Sequence, residues 1–417
     1  MKLHQLKGKK ILIVGYGIEG KSVEAFLKHH LPNLKVGIAD EQNGPSYLDQ
    51  QKDYDLAIKS PGIHKSLITI PYTTATNIFF ANCLGITIGI TGSKGKSTTT
   101  SLIYAILQEA GKKAHLVGNI THKLDAIGAP MLTKLLETNS KNDYWVCELS
   151  SFQLDDIAYS PHISVITSFF PEHLNFHGNM ENYWAAKSRI VKHAKHTDYF
   201  VFNQTNPRIT ELSQHSAAKA IPFLDELPFP ENTISLLGPH NFANVKAACA
   251  VADILEIPTD IVAKAVKNFT PLPHRLEKVG TFQEITFYDD AISTTPESTM
   301  LAIDTLKNVC TIFLGGQDRG YDFSGLAKKI VEYNIENLVL FPDTGGNIFE
   351  AIRKISRKSF TVLRTSNMEE AVKFAYEHTP KGTICLLSTA SPSYSVWKNF
   401  EEKGNLFKQF VRQLAEA

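Results

Sequence analysis

An α/β protein of three domains is predicted by three features of the sequence. Two Gly-rich loops each follow an apolar strand and open a helix, and strands alternate with helical segments after Pro271-Leu-Pro273. Lys10 to Val14 is a short β-branched run before the first loop, Gly15-Tyr-Gly17-Ile18-Glu19-Gly20-Lys21-Ser22. Ser22 to His30 has helical spacing, and Lys35 to Ala39 is a second strand ending at Asp40. A further strand, Leu56 to Lys59, runs into the breaker cluster Ser60-Pro61-Gly62-Ile63. The pattern restarts with strand Ile86 to Ile90, the second loop Thr91-Gly92-Ser93-Lys94-Gly95-Lys96-Ser97-Thr98 and helix Ser97 to Ala110. Strand Tyr144 to Cys147 ends at Glu148, and strand Ile163 to Thr167 follows. Strands near Thr311 to Leu314, Leu338 to Phe341 and Ile384 to Leu387 complete the set. The expected division is a Rossmann-like N-terminal domain over 1–83, a P-loop ATPase-like central domain over 84–271 and a Rossmann-like C-terminal domain over 272–417.

Lys plus Arg number 43 against 42 Asp plus Glu, so no net field attracts nucleic acid or an anionic membrane surface. The longest apolar stretches are strand-sized, well short of the roughly 20 residues a membrane helix needs. Five cysteines lack C-x-x-C spacing and the start Met1-Lys-Leu-His carries no apolar leader. These features lead one to expect a cytoplasmic protein without structural zinc, with no nucleic-acid partner and no membrane insertion.

A phosphate loop turns backbone N–H groups toward phosphate oxygens at a helix N-terminus, with Lys neutralising charge and Ser or Thr binding magnesium. The first loop satisfies both G-x-x-x-x-G-K-S and G-x-G-x-x-G, whereas Ile90 stands where the second loop would need its leading Gly. Their neighbours separate them. Glu148 closes a buried-type strand, where magnesium-nucleotide enzymes carry an acidic ligand, so the second loop is expected to hold the triphosphate. Asp40 gives the first loop a companion suited to ribose or uracil, with Lys21 and Ser22 as surface helix residues.

The ordered motifs Thr91-Gly-Ser-Lys-Gly-Lys-Ser-Thr98, Glu148-Leu-Ser150-Ser151-Phe-Gln153, Pro171-Glu172-His173-Leu, Tyr183-Trp-Ala-Ala-Lys187, Gly238-Pro-His240-Asn241-Phe-Ala-Asn244 and Leu272-Pro-His274-Arg275 resemble the Mur ligases of peptidoglycan synthesis, nearest the glutamate-adding members. The likeness runs on to Lys398-Asn-Phe400-Glu-Glu-Lys-Gly404. It implies an ATP-dependent amide ligase whose substrates are UDP-N-acetylmuramoyl-L-alanine and glutamate, acting as a monomer with ATP and one or two Mg²⁺ ions. It also implies that Lys96, His173 and Lys187 are catalytic, with Lys187 carbamylated. Ser97, Glu148, His173 and Lys187 would be metal-site residues. Gly92, Ser93, Lys94, Gly95, Lys96, Ser97, Thr98, Asn241, Asn244, Arg275 and Asp290 would contact ATP. Gly17, Ile18, Glu19, Asp40, Ser60, Pro61, Gly62, Asn119, Ser150, Ser151 and Gln153 would hold the UDP-linked substrate. Thr294, Arg319, Ser393 and Phe400 would hold glutamate, Arg319 by a bidentate pair with a carboxylate.

The chain departs from the family pattern at Ile292, where a lysine is usual, at Tyr394 and at Thr121. The lost charge at Ile292 admits a catalytically silent nucleotide-binding relative as the competing reading, against which stands the retained set Lys96, Glu148, His173 and Lys187. D-glutamate is the expected amino acid, and an L-glutamate-adding variant is the alternative.

Overall fold

The computed structural model describes residues 1–120, 129–234 and 236–415, so Thr121 lies outside the described residues. Three sheets carry the chain. In the first, β1 (Lys10–Val14), β2 (Lys35–Ala39), β3 (Leu56–Lys59) and β4 (Tyr72–Thr74) run parallel in the order β2-β1-β3-β4. Because β1 crosses to β2 on one side and β3 lies on the other, the loops after β1 and β3 diverge and leave a crevice at the strands' carboxyl ends. Ser60 closes its floor by donating from Oγ to Gly15 O at 2.7 Å. Gly20 has to be glycine there, since a Cβ would stand 2.3 Å from Gly15 O.

The second sheet holds β5 (Ile86–Thr91), β6 (Ala114–Gly118), β7 (Tyr144–Glu148), β8 (Ile163–Ile166), β9 (Tyr199–Phe202) and β10 (Lys219–Pro222), all parallel, in the order β10-β9-β8-β5-β7-β6. Apart from the edge strand β10 its strands are largely apolar and buried, as a sheet covered by helices on both faces requires. The reversal of strand order falls at β5, which puts the second Gly-rich loop at the crevice and Glu148 on the adjacent strand end.

These two sheets belong to one compact unit, Met1–Ser235 with His240–Phe269. Apolar side chains of helix Ile18–His30 (Val23, Phe26, Leu27) share a core with Met131, Leu132 and Leu135 of helix Met131–Glu137. Polar ties reinforce it: Lys59 pairs with Asp156 at 2.9 Å, Lys65 with Asp155 at 3.0 Å, and Tyr72 donates to Asp156 at 2.8 Å. Ser22 is therefore not a surface residue. It is buried and accepts from Thr133 Oγ1 at 2.9 Å, while Lys21 is exposed as expected.

The other unit, Leu236–Pro239 with Thr270–Ala417, holds the third sheet. Its strands are β11 (Glu277–Phe282), β12 (Ile285–Asp289), β13 (Val309–Leu314), β14 (Asn337–Leu340), β15 (Thr361–Arg364) and β16 (Ile384–Leu387), in the order β11-β12-β16-β13-β14-β15, with β11 antiparallel and the rest parallel. Among the described residues no helix is long and apolar enough to cross a membrane.

Candidate active site

The second Gly-rich loop joins β5 to helix Lys96–Glu109, with Gly95 as its left-handed N-cap at φ 88°. A Cβ on Gly92 would lie 2.0 Å from Thr167 Oγ1, and one on Gly95 would lie 2.4 Å from Asn244 Oδ1, so both glycines are dictated by close approach as well as by φ. The loop is pinned from below. Ser93 Oγ donates to Phe170 O at 2.8 Å and accepts from Phe170 N at 3.0 Å, and Lys94 N donates to Ser168 Oγ at 2.8 Å. Thr167 Oγ1 donates to Lys94 O at 2.6 Å. Ser93 thus serves the loop's shape. Lys96 Nζ crosses the loop, donating to Gly92 O at 2.9 Å and Ser93 O at 2.8 Å. Ser97 and Thr98 are buried in the helix's first turn.

Asn241 and Asn244 sit on helix Pro239–Ile254, both buried. Asn244 Nδ2 donates to Asn241 Oδ1 at 3.1 Å, and Thr99 Oγ1 donates to Asn244 Oδ1 at 3.2 Å. Asn244 accordingly buttresses the loop at Gly95 and Thr99.

Lys187 lies on helix Met180–Ser188, is 1 % exposed, and donates from Nζ to Gly92 O at 2.7 Å. Burial, reinforced by Lys96, pushes its amine well below the usual lysine range. A neutral buried amine is the form that can add to an electrophile. Lys94 pairs with Glu172 at 2.7 Å. Burial alone would raise the Glu172 carboxyl, but Lys94 and Lys96 overcome it and hold it at about 2. His173 caps helix Leu174–His177 in the left-handed region at φ 54°, an uncommon conformation for a residue other than glycine, and its side chain lines the cleft. Burial lowers its imidazole to about 4, helped by Lys96 and Lys187 and opposed by Glu172.

A cleft of about 320 Å³ brings the expected residues together: Lys96, His173 and Lys187 line it with Glu19, Pro61, Gly62, Asn119, Ser150, Ser151 and Gln153, and Phe152 joins them. Ser150 caps helix Ser151–Leu154 in a reciprocal box with Gln153, whose Oε1 accepts from Ser150 N at 3.0 Å. Gln153 Nε2 then donates to Glu19 Oε1 at 2.9 Å. Glu148 is 2 % exposed at the end of β7. At the first loop, Asp40 Oδ2 accepts from Tyr16 N at 2.6 Å and Oδ1 from Gln42 N at 3.1 Å, and these N–H groups lower its carboxyl. Gly17 is the N-cap of helix Ile18–His30, and Ile18 is 78 % exposed beside it.

Arg275, Asp290, Thr294, Arg319, Ser393 and Phe400 lie in the other unit. Asp290 is buried and accepts from Ser388 Oγ at 2.8 Å and Leu276 N at 3.2 Å, and burial raises its carboxyl to about 6. His274 is bonded to Asp289 at 2.7 Å and stacks edge-on to Phe400. His274, Glu277 and Asp289 are close enough to share an ion, but Lys408 stands 2.9 Å from Glu277 and already supplies the positive charge. Ser393 is buried, Arg275 and Thr294 are half-buried, and Arg319 is exposed in the loop after Gly315-Gly316, where Gln317 accepts its hydrogen bonds at 3.4 Å.

Sequence reasoning gave no role to Glu172 or to Lys403. Glu172 stood in the motif Pro171-Glu172-His173 but its charge partner is set by folding. Lys403, on helix Phe400–Ala415, is fully buried and donates from Nζ to Thr389 Oγ1 at 2.6 Å. Burial lowers its amine to about 7 against the pull of Asp289 and Asp290. The unfolded chain therefore binds the extra proton between that value and the ordinary lysine pKa near 10.4, so this group adds stability as pH rises from 7 to 10 and adds no slope below. Wild type should gain on Lys403→Met over that interval by about 2 to 5 kcal/mol, measured by amide exchange in β16.

The chain matches the family model described as Mur ligase middle domain over residues 90–226. It is 31 % identical, over 98 % of its length and 97 % of the relative's, to a UDP-N-acetylmuramoylalanine--D-glutamate ligase of Acetivibrio thermocellus. It is 32 % identical, over the whole of both chains, to a UDP-N-acetylmuramoyl-L-alanine--L-glutamate ligase of Salinispora tropica. The fold matches the crystal structure of MurF ligase from Thermotoga maritima in complex with ADP at a TM-score of 0.64, with 17 % identity and 99 % and 98 % of the two chains covered. With full-length likeness at this identity and a loop, strand end and helix that assemble one cleft, the chain belongs to the Mur ligase family.

Proposed function

We propose that the protein joins glutamate to UDP-N-acetylmuramoyl-L-alanine at the expense of ATP, as a monomer in the cytoplasm, where nucleotide-linked precursors are made. The observation that carries this reading is the single cleft lined by Lys96, His173 and Lys187 together with Asn119, Ser150, Ser151 and Gln153. In this reading the first sheet is a Rossmann-like substrate domain whose loop and Asp40 hold the UDP end. The second is a P-loop ATPase-like domain, and the third sheet is a Rossmann-like domain that holds the amino acid through Thr294, Arg319, Ser393 and Phe400.

A carboxylate is inert to amines until an oxygen becomes a phosphate leaving group. The γ-phosphoryl group passes to the alanyl carboxylate, and the amine of glutamate attacks the acyl phosphate, expelling phosphate. The chain's own work is positioning and charge neutralisation. Lys96 supplies a point charge beside loop N–H groups that face the phosphates. Gly92, Gly95, Ser97 and Thr98 shape and open the helix that receives them, and Asn241, Arg275 and Asp290 serve the rest of ATP. Asn119, Ser150 and Gln153 orient the alanyl carboxylate.

Ser97 and Glu148 offer the hard oxygen donors that Mg²⁺ prefers, and both sit at the mouth of β5 and β7. Together with His173 and a carbamate on Lys187 they would hold the ion, which neutralises triphosphate charge. A neutral Lys187 amine adds CO₂ to give the carbamate and one proton, so the low basicity imposed by burial fits the modification.

The test is incubation with ATP, Mg²⁺ and UDP-N-acetylmuramoyl-L-alanine plus D- or L-glutamate in separate reactions, with product mass and phosphate release as readouts. The expected product carries one glutamate from one isomer. Relatives named for either isomer match about equally well, so both are assayed, and no product with either refutes the reading.

A further inference from the structure

Glu19 is the second residue of helix Ile18–His30, whose N-terminus faces the crevice of the first sheet. A carboxylate in that place has the wrong charge for a loop that receives a diphosphate. Its Oε1 accepts from Gln153 Nε2 at 2.9 Å, but its buried Oε2 has no hydrogen-bond partner. Lys59 offsets its charge only in part. Lys59 on β3 is buried and already committed to Asp156 at 2.9 Å and to Ile63 O at 2.8 Å. Asp40, at the end of β2, adds a second negative charge to the same loop through Tyr16 N. On Glu19's own helix Lys21 is exposed over the Tyr16 ring and Glu24 is bonded to Tyr16 and Lys28. Lys96, His173 and Lys187 line the same cleft, the first and last of them donating to the phosphate loop's carbonyls.

Two influences favour the ionised carboxylate in the free protein, the helix N-terminus and Lys59, while burial opposes them and raises its pKa. A diphosphate takes up the helix N–H groups, expels water and brings two more negative charges to the loop. The balance then moves to the neutral acid, because like charges in a drying site cannot both stay ionised. Resting on the function proposed above, we infer that Glu19 binds a proton from solvent when the UDP-linked substrate enters, and that its Oε2–H then donates a hydrogen bond to the ligand. Substrate binding at this loop is thereby proton-coupled, and Glu19 is a specificity residue for the acid-base state of the site.

The experiment is calorimetric binding of UDP-N-acetylmuramoyl-L-alanine at pH 7.5 in two buffers of different ionisation enthalpy, repeated from pH 6 to 8.5. Wild type should take up close to one proton per ligand, and its Kd should rise towards tenfold per pH unit where free Glu19 is ionised and bound Glu19 is not. Glu19→Gln, an uncharged isostere that keeps the Gln153 contact in reach, should show near-zero uptake and a flat profile. Wild-type binding without uptake and without pH dependence overturns the inference, and needs no variant to do so. Uptake that persists unchanged in Glu19→Gln also overturns it, assigning the proton to His173 or Lys187. No binding in any buffer instead refutes the substrate reading on which it rests.

Discussion

Lys96→Met should lower kcat about 10²- to 10³-fold while leaving the fold and the KM for the UDP-linked substrate close to wild type. The loss is that of one positive charge at developing phosphate charge in a site partly shielded from water, about 3 to 4 kcal/mol of barrier. The fold should survive because the loop is not held by Lys96 alone. Thr167, Ser168, Phe170 and Asn244 pin Ser93, Lys94 and Gly95 from the other side. Lys96→Arg should not restore activity, since Nζ meets Gly92 O at 2.9 Å and Ser93 O at 2.8 Å as a single compact donor, a geometry that a planar fork does not reproduce. Steady-state phosphate release with ATP and the UDP-linked substrate each varied checks it, and an unchanged kcat in Lys96→Met would remove the second loop from the ATP site.

Lys187→Ala is expected to cost a similar factor, about 10²-fold or more in kcat, and to differ from Lys96→Met in being rescued. The side chain is 1 % exposed, so truncation leaves a buried space beside Gly92 in which formate or acetate can place a carboxylate where the carbamate would be. Lys187→Met fills that space and should be inactive without rescue. Wild type freed of CO₂ should lose activity and regain it with bicarbonate, and ¹³C-bicarbonate should give a carbamate resonance absent from Lys187→Met. Acidification releases CO₂ from a carbamate, so activity should fall at low pH and return when bicarbonate is added at neutral pH. Full activity in Lys187→Ala would sink the carbamate reading.

Strands with strong local signals were legible at residue precision. β1, β2, β3 and β16 have the bounds read from the sequence, because parallel strands are short, mostly apolar runs with glycine, proline or polar breakers near their ends. Of the strands not read from the sequence, β6, β9, β12 and β15 include apolar runs as strong as those that were, and three others lack such signals. β4 has three residues, β10 is largely exposed and ends in Pro222, and β11 meets β12 through Gln283 and Glu284, both at positive φ without the Asn or Gly that announces such a turn.

The site divides in the same way. Gly92, Gly95, Lys96, Ser97 and Glu148 could be read from the sequence because loop, helix start and strand end are contiguous in the chain and their chemistry depends on backbone direction there. Lys187 and His173 were legible only through the family's motifs, since nothing in Ala-Ala-Lys-Ser-Arg distinguishes a buried lysine from a solvated one. Folding decided the rest. It buried Ser22 against Thr133, turned Ser93 and Asn244 into supports of the phosphate loop, paired Lys94 with Glu172 and linked Glu19 to Gln153. By itself the sequence determined that two Gly-rich loops open helices after parallel strands and that an acidic residue closes the strand beside the second. Only the tertiary structure decided which charges face one another, because burial and partners far apart in the chain set the cost of each ion and so which of them stays charged.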